Sequence, residues 1–423
     1  MKPVVSFLVG GDAAAQLRRA FDSASLSLTI GAEEELVLVR PGSGELASDV
    51  DEVLARTSGD PRFVAELRAS QIEIVSRPCL SAADLGRELA AARCDLADAL
   101  AGDMCAAAVG THPTAETVGP ITDGDRYRSI AADYPWAARH MLTCGLHVHV
   151  GVAGGDRALA VYNALRSYLP ELCALAANSP FHRSCDAGVA SVRTHLNACL
   201  PRSGTPPAFR SWGEFGRYVA WGARGGCIPD PSYQWWALRL HPGLGTLEIR
   251  VSDAQTEIED AVAVAALTQA LVASLLDRYD SGERLPIHAS HLINENLWLA
   301  ARDATGGWLL DLESGLREPT ADRIERLLDE LAPYGQALGC ERELARVATL
   351  AWFGGAARQR ALVAEHGIDA LPALLGRLTD ESARRVRAQA VMPPSAERSA
   401  PSRSAALQTE ERPPYADAYQ LRP

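Results

Sequence analysis

Four short stretches of this 423-residue chain carry acidic, histidine or arginine residues at every second position. They are Thr29-Ile30-Gly31-Ala32-Glu33-Glu34-Glu35-Leu36-Val37-Leu38-Val39, Gln71-Ile72-Glu73-Ile74-Val75, Gly145-Leu146-His147-Val148-His149-Val150-Gly151 and Gly245-Thr246-Leu247-Glu248-Ile249-Arg250-Val251-Ser252-Asp253. Successive side chains on a strand point to opposite faces. Read as strands, these stretches put Glu33 with Glu35, His147 with His149, and Glu248 with Arg250. In the last three, the intervening Leu, Ile and Val residues take the other face. A sheet with one apolar face and one face of carboxylates, imidazoles and arginine is equipped to hold divalent metal and phosphate.

Each group also has a plainer reading. Glu33, Glu34 and Glu35 could be an exposed acidic edge. Adjacent carboxylates repel, however, and Mg²⁺ relieves that by taking oxygen ligands from carboxylates and substrate phosphates. Glu66, expected on a helix, and Glu73, between Ile72 and Ile74, read singly as solvated acids. His147 and His149 could be satisfied core histidines. A zinc site would need a third ligand, and no cysteine lies at ligand spacing. Gly145 and Gly151 permit close approach of a ligand or another backbone. Glu248 and Arg250 could be a cross-strand ion pair, or a metal ligand beside an anion clamp that Arg239 joins across a hairpin.

The elements that must position these residues follow from punctuation and periodicity. A helix is expected near Asp49–Arg56. A long helix opens at Ser81, with Asp84 in the capping-box position, and stops near Gly102. Residues 106–109 read as a buried strand, and residues 114–143 as loop and short helix. One helix is expected from Asp156 to Ala177, ended by Asn178-Ser179-Pro180. Ser211 opens a short helix. Tyr233–Leu240 and Thr246–Val251 form a hairpin, and Ile258–Asp277 is a strongly apolar helix, after which the chain to Arg387 is nearly all helical. Residues 1–25 read as a lead-in, 26–390 as a single catalytic domain and 391–423 as a disordered tail, because Pro393–Pro423 holds six prolines and few large aliphatics.

Composition bounds the function. Hydrophobic residues make up 47% and charged residues 22%, as in ordinary soluble proteins. A net charge of -12 counts against a general nucleic-acid binder. Lys2 is the only lysine, so neither a P-loop nor a lysine Schiff base is available. Nine scattered cysteines without a Cys-x-x-Cys pair read as reduced thiols of a cytoplasmic protein. No signal peptide is apparent, and no segment is read as reaching the roughly 20 apolar residues of a membrane span.

Together and in this order, Gly31-Ala32-Glu33-Glu34-Glu35, Glu66 with Glu73 seven residues on, Gly145–Gly151, Ala177-Asn178-Ser179-Pro180 and Gly245–Thr256 resemble the type 2 glutamate–cysteine ligase family, the carboxylate–amine ligases. The resemblance spans about residues 26–380. It implies an α+β, glutamine-synthetase-like fold: a curved, mainly antiparallel sheet with helices packed behind it. It implies ATP and Mg²⁺, with Glu33, Glu35, Glu66, Glu73, His147 and Glu248 as metal ligands. Arg239 and Arg250 would be catalytic and would bind substrate together with His149. The reaction implied is amide formation through an acyl phosphate, from glutamate and cysteine or another amine. The partners are then small molecules, with no nucleic acid and no membrane, and the helical surface after residue 258 leaves room for a homo-oligomer. Trp236-Ala237-Leu238-Arg239-Leu240 departs from the family's Trp-Asp-x-Arg-Pro pattern, which bears on the substrates more than on the ATP chemistry. A metal-dependent hydrolase and a non-catalytic ligand-binding relative are the competing readings.

Overall fold

The computed structural model describes residues 12–100 and 102–391. Seven strands pair into one sheet: β1 (Ile30–Val39), β2 (Phe63–Ala65), β3 (Gln71–Val75), β4 (Cys105–Ala107), β5 (Gly145–Gly151), β6 (Leu238–His241) and β7 (Thr246–Asp253). Their order is β2-β3-β1-β5-β7-β6, and β4 pairs with the far end of β1. Every pairing is antiparallel. The architecture is α+β, with the sheet in front and helices behind.

The alternation read from sequence sorts the two faces. Leu36, Leu38, Ile72, Ile74, Leu146, Val148, Val150, Leu247 and Ile249 are all fully buried on the helix side. Against them pack the helices Ala82–Leu100 and Ile258–Asp280. The second of these is long and apolar enough to cross a membrane (hydropathy 1.5), which corrects the expectation that no segment is; 89% of its apolar window is buried inside the protein. The long helix at residue 82 is capped as expected, with Asp84 N donating to Ser81 Oγ at 3.1 Å.

Glu34 belongs to this helix side. It is fully buried and forms a two-bonded pair with Arg93 of helix Ala82–Leu100, at 2.8 and 3.0 Å. The remaining Arg93 donors reach Thr256 O and Gln255 O at 2.9 and 2.7 Å. The middle acid of the Glu33-Glu34-Glu35 run is therefore a structural tie between β1, a helix and the segment after β7.

Three further expectations are corrected. Glu66 lies just after β2, in the loop between β2 and β3, and not on a helix. The helix expected from 156 to 177 is two helices, Gly155–Leu165 and Leu169–Ala176, joined by a 3₁₀ turn at Arg166–Tyr168. Pro170 in the first turn of the second has no N–H to continue the ladder. The lead-in contains a helix, Ala13–Ser23, capped by Asp12 and packed on helix Trp212–Arg224. The tail expectation for 391–423 lies outside the described residues except at Val391, which ends helix Leu371–Val391.

Removing one partner of a buried ion pair strands the other charge, at a cost of about 3–5 kcal/mol. Arg93→Ala is expected to lower stability by that much, read as a fall in the urea midpoint; an unchanged midpoint would show that the pair does not hold the layers together.

Candidate active site

Strand register assembles the polar face. Glu35 lies opposite Glu73, Glu33 opposite His147, His149 opposite Glu248, and Glu248 opposite Arg239. Directly opposed side chains in an antiparallel pair sit about 4.5–5.5 Å apart at Cβ. The seven residues thus form one continuous row across β3, β1, β5, β7 and β6. Between Leu146 and Val148 the β5–β7 register shifts, so three steps of β7 (Ile249 to Ser252) run against two of β5. This bulge brings Arg250 to His147, with Arg250 Nη1 3.3 Å from His147 Nδ1.

The row has two chemically different ends. At the β6–β7 end, Glu248 is fully buried and takes two bonds from Arg239 (2.7 and 2.9 Å) and one from Arg250. Burial opposes its charge, but the two guanidinium groups outweigh burial and hold its carboxyl below the usual range. The third Arg239 nitrogen donates to Ser232 O at 3.1 Å, so all its nitrogens are engaged. At the β1–β3 end, Glu35, Glu66 and Glu73 gather with no arginine bonded to them among the described residues. Burial first, and the Glu66 charge next, push Glu35 up to about 7. Burial likewise raises Glu66, and burial with the neighbouring carboxylates raises Glu73 well above its ordinary value.

Glu33 stands between the ends. Burial opposes its charge, yet the imidazoles of His147 and His149 beside it prevail and keep it ionised. Its Oε2 lies 3.2 Å from His147 Nδ1, and its Oε1 3.4 Å from His149 Nε2. His149 Nδ1 meets Thr246 Oγ1 at 3.0 Å. Burial, then the Arg250 charge, lowers His147 to about 4, so it is neutral. With Nδ1 turned to Glu33, its buried Nε2 makes no hydrogen bond, and His149 Nε2 faces Glu33 Oε1 without a hydrogen bond forming between them.

These features fit a cation. Glu33 with His149 and Glu248, Glu33 with Glu73 and His147, and Glu35 with Glu66 and Glu73 each bring three ligand atoms within 4.8 Å of one another. Orphaned imidazole nitrogens and half-buried, unneutralised carboxylates are what a bound ion would satisfy. The oxygen-rich donor sets suit Mg²⁺. All nine site residues expected from sequence therefore come together: Glu33, Glu35, Glu66, Glu73, His147, His149, Arg239, Glu248 and Arg250. His149 sits among the ligand atoms themselves, beside Glu33 and Glu248.

A cavity of about 240 Å³ opens on this face, lined by Glu33, Glu35, Glu66, Glu73, His147, Arg239 and Arg250. Sequence reasoning missed its other walls. One is the segment carrying Arg126, Tyr127, Ile130 and Met141; Tyr127 Oη donates to Ala65 O at 2.5 Å, next to Glu66. Another carries Arg193, Asn197 and Leu200, and a third Ser232 and Trp235. Loops and short helices have no two-residue period to announce them. The signal that was present is the Asn178-Ser179-Pro180 run. Asp253 accepts from Asn178 N (2.8 Å), Ser179 Oγ (2.7 Å) and Ser191 Oγ (2.9 Å), which ties β7 to the start of the helix carrying Arg193.

Gly145 shows how tightly these parts meet. A Cβ there would fall 2.2 Å from Arg193 Nη2 and 3.0 Å from His147 Nε2, and Gly145 N donates to Glu35 Oε2 at 2.6 Å.

A family profile described as "Glutamate-cysteine ligase family 2" matches residues 29–388. A protein of Rubrobacter xylanophilus provisionally named glutamate–cysteine ligase 2-3 is 39% identical over 353 residues, covering 81% of this chain and 94% of its own. One of Thermobifida fusca, provisionally named glutamate–cysteine ligase 2, is 35% identical, covering 80% and 88%. The fold is similar to the crystal structure of glutamate–cysteine ligase from Francisella tularensis, solved in complex with AMP, at a TM-score of 0.62 and 15% identity, covering 85% of this chain and 91% of that one. It is also similar to a bifunctional glutathione synthetase from Pasteurella multocida, at a TM-score of 0.60 and 14% identity, covering 87% and 54%.

In the metal-free protein, Glu35 binds its proton more tightly folded than unfolded. That stabilisation is present below its ordinary pKa of 4.5 and is lost as pH rises through about 7. A cation that replaces the proton stabilises more at higher pH. Mg²⁺ is expected to raise the Tm more at about pH 8 than at about pH 5, and Glu35→Gln to shrink that difference. An Mg²⁺ effect independent of pH would count against the carboxylates as its seat.

Proposed function

Because the chain belongs to glutamate-cysteine ligase family 2, and is thus a carbon–nitrogen ligase of the glutamate–cysteine ligase type, we propose that it joins a carboxylate to an amine at the expense of ATP, through an acyl phosphate. The carboxylate proposed is the side chain of glutamate, and the amine cysteine or another amino compound. The observation that carries this reading is the single row of carboxylates, imidazoles and arginines set by register across five strands. The AMP bound to the Francisella tularensis relative supports a nucleotide substrate.

In this reading residues 26–390 act as one catalytic unit. Glu33, Glu35, Glu66, Glu73, His147 and Glu248 would hold Mg²⁺, with His149 beside them to bind substrate. Bound Mg²⁺ neutralises charge on the transferred phosphoryl group. Arg250, kept protonated by Glu248 despite its burial, holds the phosphoryl group in line with the attacking carboxylate. Arg239 fixes Glu248 through its bidentate pair and closes the cavity wall. The carboxylate oxygen attacks the γ-phosphorus, and ADP leaves. The amine then attacks the acyl carbon, the C–O bond to phosphate breaks, and the amide, phosphate and a proton are released. Ala237 is buried in the hydrophobic core and Leu240 with it, so neither offers the substrate a polar contact. The nine unpaired cysteines support a reducing, cytoplasmic setting.

With ATP, Mg²⁺ and glutamate, a panel of amines is expected to yield ADP and a new amide by mass spectrometry only when carboxylate and amine are both present. Arg250→Met is expected to lower kcat by about 100- to 1000-fold while the far-ultraviolet spectrum is kept. ADP release at the same rate without any carboxylate would overturn the ligase reading.

A further inference from the structure

Arg193 is a buried cation of the cavity whose one ion pair among the described residues, to Asp253, is long and made to a carboxylate with other partners. It is 4% exposed and lines the cavity. Its Nη1 and Nη2 reach the carbonyls of Val251 and Arg250 at 3.3 and 3.1 Å. The nearest carboxylate, Asp253, is 3.9 Å away and already accepts from Asn178, Ser179 and Ser191. The buried Nε has no hydrogen-bond partner. Arg93 and Arg239 differ: each forms a two-bonded pair with a buried glutamate. A buried guanidinium with only a distant, shared carboxylate and an idle Nε is costly unless a closer anion completes it.

Asn197 stands four residues on in the same short helix, and residues so spaced share a helix face. It lines the same cavity. Thr143 Oγ1 donates to its Oδ1 at 3.0 Å, which leaves its Nδ2 donors without a partner among the described residues. One guanidinium and one neutral amide match a single negative charge and the planar geometry of a carboxylate. The polyphosphate of ATP carries several charges, and the Arg250 side with its cation seats is the part equipped for those. The wall beyond, with Leu200, Met141 and Trp235, carries no acid and suits a short carbon chain.

We propose that Arg193 and Asn197 form the seat for the α-carboxylate of the amino-acid substrate, and so select a dicarboxylic amino acid whose other carboxylate is activated at the metal face. This rests on the ligase reading given above and adds which end of the substrate is read, and by what.

The test compares glutamate with 4-aminobutyrate, which is glutamate without its α-carboxylate, in the full-length protein with ATP, Mg²⁺ and an accepted amine. Arg193→Gln is expected to lower kcat/KM for glutamate by about 30- to 100-fold, the scale of a charge-assisted contact, while that for 4-aminobutyrate holds within about twofold. Asn197→Leu, at a half-buried position less exposed to folding damage, is expected to do the same by about tenfold. Equal losses for both substrates would make the pair structural, and a raised KM for ATP with the preference unchanged would make it a phosphate contact; either overturns the proposal. A wild-type protein that turns over no carboxylate would sink the ligase reading instead. Calorimetry separates the two failures: glutamate binding in Mg²⁺ is expected to weaken in Asn197→Leu, and unchanged affinity overturns the seat whatever the turnover.

Discussion

Like charges crowded on one largely screened face are the constraint around which this molecule is built. Glu248 is fully buried, and Glu33, Glu35, Glu66 and Glu73, on neighbouring strands or the loop beside them, are partly buried. A carboxylate there loses hydration and meets its neighbours' charge, and both effects favour the protonated form. The protein answers unevenly. Glu248 receives two arginines and stays ionised, and Glu33 is held by two histidines. Glu35, Glu66 and Glu73 receive no bonded arginine and are driven toward protonation. The site is therefore uneven, with positive charge supplied by the chain at Glu248 and lacking at Glu35, Glu66 and Glu73.

That polarity needs rigid support, since a ligand row displaced by an ångström loses its geometry. The support lies behind and beside the row. Behind it, the apolar face and the Glu34–Arg93 pair bind the sheet to its helices. Beside it, Asp253 gathers Asn178, Ser179 and Ser191, and Asn178 in turn donates to Ala254 O at 2.8 Å and accepts from Gln359 Nε2 at 2.8 Å. The motif residues that touch no substrate thus fix β7 and the helix bearing Arg193. The bulge opposite His147 supplies the local bend that lets an arginine reach across to an imidazole.

Much of the sheet was legible in the chain. Gln71–Val75 and Gly145–Gly151 form over their full expected spans, and β1 and β7 begin one residue later than read. A two-residue period survives in sequence because it is written by consecutive side chains on one strand. The helix expected at Glu66 is absent, because pairing of Phe63–Ala65 with β3 makes the preceding segment a strand. The break at Arg166–Tyr168 was hidden inside an apolar run that fits one helix as well as two. Ile258–Asp280 has the length and hydropathy of a membrane span, and its partners alone place it in a core.

What the sequence determined by itself is which residues share a strand face, because alternation follows from local backbone geometry and needs no knowledge of the rest of the chain. It also determined that the reverse face of three of these four strands is apolar and so needs a cover. Tertiary structure decided which strand lies beside which, that Glu34 pairs with Arg93 while Glu33 and Glu35 do not, and that Arg193 and Asn197 close the cavity from a short helix. Those choices rest on contacts between residues far apart in the chain, set by packing and by the cost of leaving a buried charge alone. No local pattern encodes them.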